Sequence, residues 1–451
     1  MSSSDGRAAR SGLWPDYRSV WRWHFYAGLF CIPFVLWLAA TGTIYLFKPQ
    51  IERWLDAPYD GLVLSAAPQP ASAQVAAAVG AVAGGRFKAY ELPAGPQSAA
   101  RVLVADGART WRVYVHPQTL AVLARVDDDA RPMRVVSKLH GTLWMGVRGS
   151  NLVELAACWA IVMVLSGLFL WWPRGSARWA GVLVPRLGGG RRLWRDLHAV
   201  AGFWISALAL FLMLSGLPWA QFWGGNLKAV RAWAASAPAR QDWTLGGQPV
   251  VPPVDEHAHH RHVVTAGSAD DAQGAALDAV AATAVTLSLP APVLISPPSA
   301  GETDWSLRSD TQNRPLRTSL RVDAGGRIVS REDFAQRALL DRIIGTGIAA
   351  HEGQLFGVFN QLLGLLTTSG LVLLCVSALA MWWKRRPLGV LGAPPAIGEP
   401  RYAAVFFALV IVLGLLLPLM GVSLLLVLAV ERLLLRRVPR LRVFLGLRAP
   451  A

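Results

Sequence analysis

The chain has 451 residues, 53% of them hydrophobic and only 16% charged, with a mean hydropathy of +0.38. Those proportions exclude an ordinary soluble globular protein. The formal charge of +16 does not point to nucleic acid, because the arginines gather in short segments beside apolar runs, where they mark membrane topology and anionic lipid.

Residues 1–24 carry Arg7, Arg10, Arg18 and Arg22 and are expected to be a cytoplasmic N-terminus. The apolar run 25–47 exceeds the roughly 20 residues a bilayer crossing needs and is too long for a signal-peptide h-region, so it reads as an uncleaved anchor. Residues 48–139 read as a small α+β domain. A helix-prone stretch Ala73–Val82 precedes strands at Arg86–Leu92, Arg101–Ala105 and Trp111–Val126, the last broken at His116-Pro117. A second crossing is expected over 140–172. The loop 173–197 sets Arg174, Arg178, Arg186, Arg191, Arg192 and Arg195 against a single acid, Asp196, and is assigned to the cytoplasm. A third crossing is expected over 198–218.

Residues 219–350 read as a second α+β domain opened by a His-rich linker holding His257, His259, His260 and His262. Its elements are a helix-prone stretch Ala275–Val285 and strands at Pro292–Ser296, Asp304–Ser309 and Thr318–Ser330, with a turn at Ala324-Gly325-Gly326. A fourth crossing over 351–383 ends in Lys384, Arg385 and Arg386, and 384–401 is a cytoplasmic loop. The apolar segment 402–435 is too long for one upright span. Leu417-Pro418 and Gly421 are expected to turn it into a helical hairpin, returning the basic tail 436–451 to the cytoplasm. Cys31, Cys158 and Cys375 lie inside apolar runs without metal-like spacing and read as packing residues.

Four histidines carry the functional signal. His24, Gly28 and Thr41-Gly42 recur at the same spacing as His198, Gly202 and Ser215-Gly216. His140, Gly146, Ser166 and Trp171-Trp172 recur as His351, Gly357, Ser377 and Trp382-Trp383. The chain therefore reads as two copies of a two-helix unit. Ionisable groups at membrane depth are costly and usually functional. The expected orientation pairs His24 with His198 at the cytoplasmic edge and His140 with His351 at the outer edge. Two imidazoles from different helices at one depth suit a six-coordinate b-type haem iron, so two haems are expected. On a helix Gly28 lies one turn from His24 and Gly202 one turn from His198, while Gly42 and Gly216 lie on the same faces about 27 Å away. These four glycines are expected to make room for the macrocycles. His116 reads as a turn residue, the His-rich tract as a solvated linker, and Asp196 and Glu352 as neighbours of the ligand candidates. No nucleophile, phosphate loop, flavin or nicotinamide motif is visible.

The motifs Trp23-His24…Gly28, Lys138-Leu139-His140-Gly141, Leu197-His198…Gly202 and Ala350-His351-Glu352-Gly353 resemble the PepSY-associated transmembrane family, as do the Trp171-Trp172-Pro173-Arg174 and Trp382-Trp383-Lys384-Arg385 endings. The resemblance covers about 20–430. It implies an α-helical integral membrane protein of the bacterial inner membrane, with a four-helix core, two PepSY-like insertions on the periplasmic side and a C-terminal apolar extension. Some members resemble haem-containing reductases of ferric siderophores, which would make His24, His140, His198 and His351 the haem ligands. The expected function is then a haem oxidoreductase carrying electrons from a membrane quinol or protein donor to a ferric siderophore or other periplasmic acceptor. Two rival readings are a non-enzymatic PepSY binding or inhibitory module, and a haem relay subunit serving a partner enzyme.

Overall fold

The computed structural model describes residues 15–173, 179–234, 268–395 and 404–447, so the His257–His262 tract lies outside the described residues. The chain forms two compact units. One comprises 1–42, 140–239 and 365–451, the other 43–139 and 240–364.

The first unit is helical. Among the described residues, five helices are long and apolar enough to cross a membrane: Tyr17–Leu46 (α1), Gly146–Trp171, Gly190–Trp219, Val358–Arg385 and Pro418–Leu435. They turn large apolar side chains outward, among them Phe30, Trp37, Leu214, Leu366 and Val372. Such a surface suits lipid, where a helix can satisfy its own backbone. The second and fourth crossings differ from the expected 140–172 and 351–383. Helix α4 (Pro132–Thr142) ends just after His140, and α5 begins only at Gly146. Helix α9 (Leu339–His351) ends at the histidine itself, and α10 begins at Val358. Leu143, Trp144 and Gly146 in the first junction, and Gly353 and Gly357 in the second, have positive φ, which no right-handed helix can carry through. Leu143-Trp144-Met145 carries the apolar pattern across the first break, and at the second the expected crossing started from His351 although Glu352-Gly353-Gln354 interrupt the pattern.

Helix α6 (Gly190–Gly216) packs on α5, and a single turn leads on to α7 (Gln221–Ala234), which the sequence reading left as loop. The C-terminal segment is a helical hairpin of α11 (Ala404–Leu416) and α12 (Pro418–Val430). The two helices cross so closely at Gly414 and Gly421 that a Cβ on Gly421 would lie 2.9 Å from the Gly414 oxygen. Its turn residue Leu417 is buried with Cys158, Ile161, Leu217 and Met420. Trp159 Nε1 donates to Ser423 Oγ at 3.0 Å and Trp223 Nε1 to the Leu416 carbonyl at 3.1 Å.

The second unit holds the strands. The expected elements are found as α2 (Lys48–Asp56), α3 (Ala71–Gly80), β1 (Arg86–Glu91), β2 (Ala100–Asp106), β3 (Arg109–Val115) and β4 (Val122–Asp127), then α8 (Ser268–Thr286), β5 (Val293–Ser296), β6 (Trp305–Ser309), β7 (Thr318–Val322) and β8 (Ile328–Asp333); α2 was not anticipated. The two insertions do not form separate domains. They join in one antiparallel sheet ordered β4-β3-β2-β1-β5-β6-β7-β8. The seam pairs Tyr90 with Ile295 and Glu91 with Leu294. Alone, each half would expose an edge strand with unpaired amides and carbonyls, and pairing the two edges removes both. Alternation along the strands sends Val102, Val104, Val113, Val115, Ile295, Leu307, Leu320 and Val322 to one face. There they pack under α3 and α8, which Asp278 ties together by accepting from the Ser72 amide and hydroxyl.

The opposite face of the first half carries charge. Arg101 lies against Asp56, Asp60 and Glu91, Arg112 against Glu91 and Asp128, and Arg131 against Asp56, while Tyr114 donates to Asp56. Burial opposes ionisation of Asp128, but Arg112 and Arg134 outweigh it and hold the carboxyl below its usual range. A depressed carboxylate stabilises the fold above its unfolded pKa of about 3.9, and that contribution is lost as the pH falls further. The sheet unit is therefore expected to lose stability below about pH 4. Thermal unfolding followed across pH should show the loss, and Asp128→Asn should flatten it while lowering stability at neutral pH.

Candidate functional site

His24 stands near the start of α1 and His198 near the start of α6. Their ring centres are 6.4 Å apart, with the planes at 87°. Each imidazole is fixed through Nδ1. His24 Nδ1 lies 2.9 Å from Ser166 Oγ on α5, and His198 Nδ1 lies 3.1 Å from Ser377 Oγ and 3.1 Å from the Leu374 carbonyl on α10. The two contacts use serines at matching sequence positions.

Ser166 Oγ also lies 3.1 Å from the Met163 carbonyl and Ser377 Oγ 3.0 Å from the Leu374 carbonyl, so each hydroxyl bridges its own helix and the ring. For His198 the Leu374 carbonyl can only accept, so Nδ1 donates there. Among the described residues, no three His, Cys, Asp or Glu side chains come together. The donor set at this end of the bundle is a pair of imidazoles.

His140 follows the same logic. Its Nδ1 lies 2.9 Å from Thr41 Oγ1, and that hydroxyl donates to the Trp37 carbonyl at 2.8 Å. A Cβ on Gly42 would stand 3.2 Å from His140 Cε1, and one on Gly167 would stand 3.3 Å from His24 Cε1. Thr41-Gly42 and Ser166-Gly167 each supply a hydroxyl and an adjacent gap for the ring. Gly42 therefore makes room for an imidazole, whereas the sequence reading gave that space to a macrocycle. Gly28 faces Met163, whose Cε would lie 3.1 Å from an added Cβ, and Gly202 faces Leu374 at 3.5 Å. Gly216 ends α6. Gly167 and the ring-orienting role of the three hydroxyls escaped the sequence reading. Their signal is a Ser or Thr followed by a small residue (Thr41-Gly42, Ser166-Gly167, Ser377-Ala378) on a helix otherwise rich in bulky apolar residues.

His351 closes α9 in the second unit, where Asn360 Nδ2 donates to the neighbouring Ala350 carbonyl at 2.9 Å. Glu352, buried beside it, forms the helix end by donating its amide to the Ile348 carbonyl. Asp196, expected beside His198, spends its carboxylate on Arg186 and Arg195 and so pins the loop after α5. His116 is the turn residue expected: its Nδ1 accepts from the Gln118 and Thr119 amides.

Removing a hydroxyl should loosen the ring without removing a ligand. If these imidazoles hold a metal or haem iron, Ser166→Ala and Ser377→Ala should weaken its retention by about 10–100-fold, the usual scale for groups that orient a ligand. Haem titration into the apoprotein would measure it, with Ser→Thr as the variant that restores the hydroxyl.

Membrane-length apolar helices, together with a unit built on an α+β sheet, define the class as a helical membrane protein. The chain belongs to the PepSY-associated TM region family, which matches residues 21–385. The α11–α12 hairpin lies beyond that match. No curated protein matches the chain in sequence.

Proposed function

We propose that the protein is a b-type haem oxidoreductase of the bacterial inner membrane, with a cytoplasmic N-terminus, that passes electrons to an acceptor such as a ferric siderophore on the periplasmic side. The observation that carries the reading is the His24–His198 pair. The two rings come from different helices, their centres are 6.4 Å apart, and each is oriented through Nδ1, so His24 and His198 would be the residues to hold one haem iron. By sequence register His140 and His351 would hold the second. When bound, each haem supplies a one-electron Fe(III)/Fe(II) couple. The residues would orient the ligands through Nδ1 and surround them with apolar helices. The repeated His–Ser contacts, 24 with 166 and 198 with 377, further support a core built from a duplicated two-helix unit.

Ferric-chelate reduction would show directly. Protein reduced chemically in detergent should reoxidise on addition of a ferric siderophore, with ferrous iron captured by a chromogenic chelator. His140→Ala and His351→Ala should abolish the transfer while leaving the His24–His198 haem reducible. A reduced protein that ignores every ferric chelate but reoxidises with a co-purified protein would replace the reductase by an electron relay. A protein that takes up no haem would leave the binding-module reading.

A further inference from the structure

The chain closes back on the start of α1. Beyond α12 it ends in a short helix, α13 (Pro439–Leu445), which lies outside the family match. Arg22 on α1 donates to the Gly446 carbonyl at 2.7 Å and to the Pro394 carbonyl at 2.6 Å, and the Tyr26 hydroxyl donates to the Leu445 carbonyl. The Leu391 amide donates to the Phe444 carbonyl at 2.8 Å, while the Leu391 carbonyl takes Trp382 Nε1 at 2.8 Å. Trp382 belongs to the last turn of α10. These contacts join three parts of the helical unit at one place: the first turns of α1, the end of α10 with the residues after it, and α13. The carbonyls of Leu445 and Gly446 pin α13, so its side chains stand at fixed positions.

The charge gathered there is one-sided. The tail brings Arg432, Arg437, Arg440 and Arg442, and the end of α10 brings Lys384 and Arg386. Between 404 and 447 the sequence has one acid, Glu431, and it is spent on Arg436 at 2.6 Å. Among the described residues, no carboxylate pairs with Arg432, Arg437, Arg440 or Arg442. The cations stand among exposed apolar side chains: Leu433, Leu441, Val443 and Phe444 on the tail, and Trp383 beside Arg386. The Arg386 guanidinium lies over the rings of Trp382 and Trp383, 5.1 and 5.0 Å from their centres.

Cations interleaved with indoles and aliphatic groups at the end of apolar helices match an amphiphile, whose headgroup takes the charge and whose chains take the apolar surface. A soluble polyanion would satisfy the guanidiniums but leave the apolar groups in water. Phosphate oxygens suit the planar donor fork of arginine. We propose that this stitched end of the helical unit binds anionic phospholipid headgroups through Arg437, Arg440 and Arg442, with Leu441 and Phe444 against the acyl chains.

Full-length protein in neutral detergent micelles, doped equally with phosphatidylglycerol and phosphatidylcholine, can be read by native mass spectrometry, which counts the lipids each protein retains. A preference for phosphatidylglycerol is expected. Arg437→Gln, Arg440→Gln and Arg442→Gln together should cut it about tenfold or more, since each arginine near an anionic surface contributes about fivefold. Lysine at the same three positions keeps the charge and should retain most of the preference, which separates lost charge from lost fold. Arg86→Gln, Arg109→Gln and Arg327→Gln together remove the same charge from exposed positions of the sheet unit and should change nothing. Absence of a preference in the unaltered protein would overturn the proposal. So would an equal loss in the sheet-unit variant, or lysine variants that lose as much as the glutamine ones. Inorganic phosphate or a hexaglutamate peptide, in excess at matched ionic strength, should not strip the lipid. Displacement by phosphate would overturn the proposal in favour of a free anion, and displacement by the peptide in favour of an acidic protein. Haem content does not enter the readout, so the proposal stands or falls apart from the oxidoreductase reading.

Discussion

Replacing His24 or His198 by alanine is expected to abolish one low-spin bis-histidine haem signal while sparing the other. The two rings are 6.4 Å apart and come from different helices, so losing either leaves the remaining imidazole without a partner. A single histidine would leave a five-coordinate, high-spin iron or none, and both outcomes are visible in the reduced-minus-oxidised spectrum. His140→Ala should act on the second haem, because His140 is anchored separately by Thr41. The size of the effect distinguishes ligand from support: alanine at the histidine should remove the low-spin band, while alanine at Ser166 or Ser377 should shift affinity within the range given above. If both His24→Ala and His198→Ala retained the full wild-type spectrum, the assignment would fail however good the geometry.

The sheet unit should be most sensitive at Glu91. This carboxylate receives Arg112 and lies 3.5 Å from Arg101, and the three side chains are 7–13% exposed. Glu91→Ala would leave two buried guanidiniums short of an acid, and breaking a buried pair from one side costs about 3–5 kcal/mol. The seam adds to the damage, because Glu91 also pairs through its backbone with Leu294 across the join of the two half-sheets. Hydrogen exchange on the full-length protein should show deprotection of β1, β2 and β5. By contrast, Arg331→Ala breaks an exposed, solvent-screened pair with Asp333 and should leave the protection pattern nearly unchanged. Equal protection loss in the two variants would mean that the Glu91 network is not what secures the sheet.

The Leu417 hairpin turn was legible because a Leu-Pro step interrupts an apolar run and places the reversal. The strands were legible for a similar reason: β-rich alternation is local, and the turns at His116-Pro117 and Gly325-Gly326 break it at the right places. The breaks after His140 and His351 were not legible. Leu143-Trp144-Met145 in the first is as apolar as the helices on either side, the polar Glu352-Gly353-Gln354 of the second was read as a helix end near the membrane edge, and only the backbone reveals the left-handed φ at Trp144 or Gly357.

By itself the sequence determined the apolar runs, the approximate positions of the strands, and the four histidines with their repeated spacing, but not where the second and fourth membrane-length helices begin. Those properties rest on periodicity and composition, which neighbouring residues carry. Tertiary structure alone decided that the two insertions share one sheet, since the β1–β5 pairing joins strands far apart in the chain, which no local pattern announces. It also decided which groups orient the histidine rings. Ser166 reaches His24 only when α1 and α5 come together, and Ser166 also lies within reach of the Met163 carbonyl.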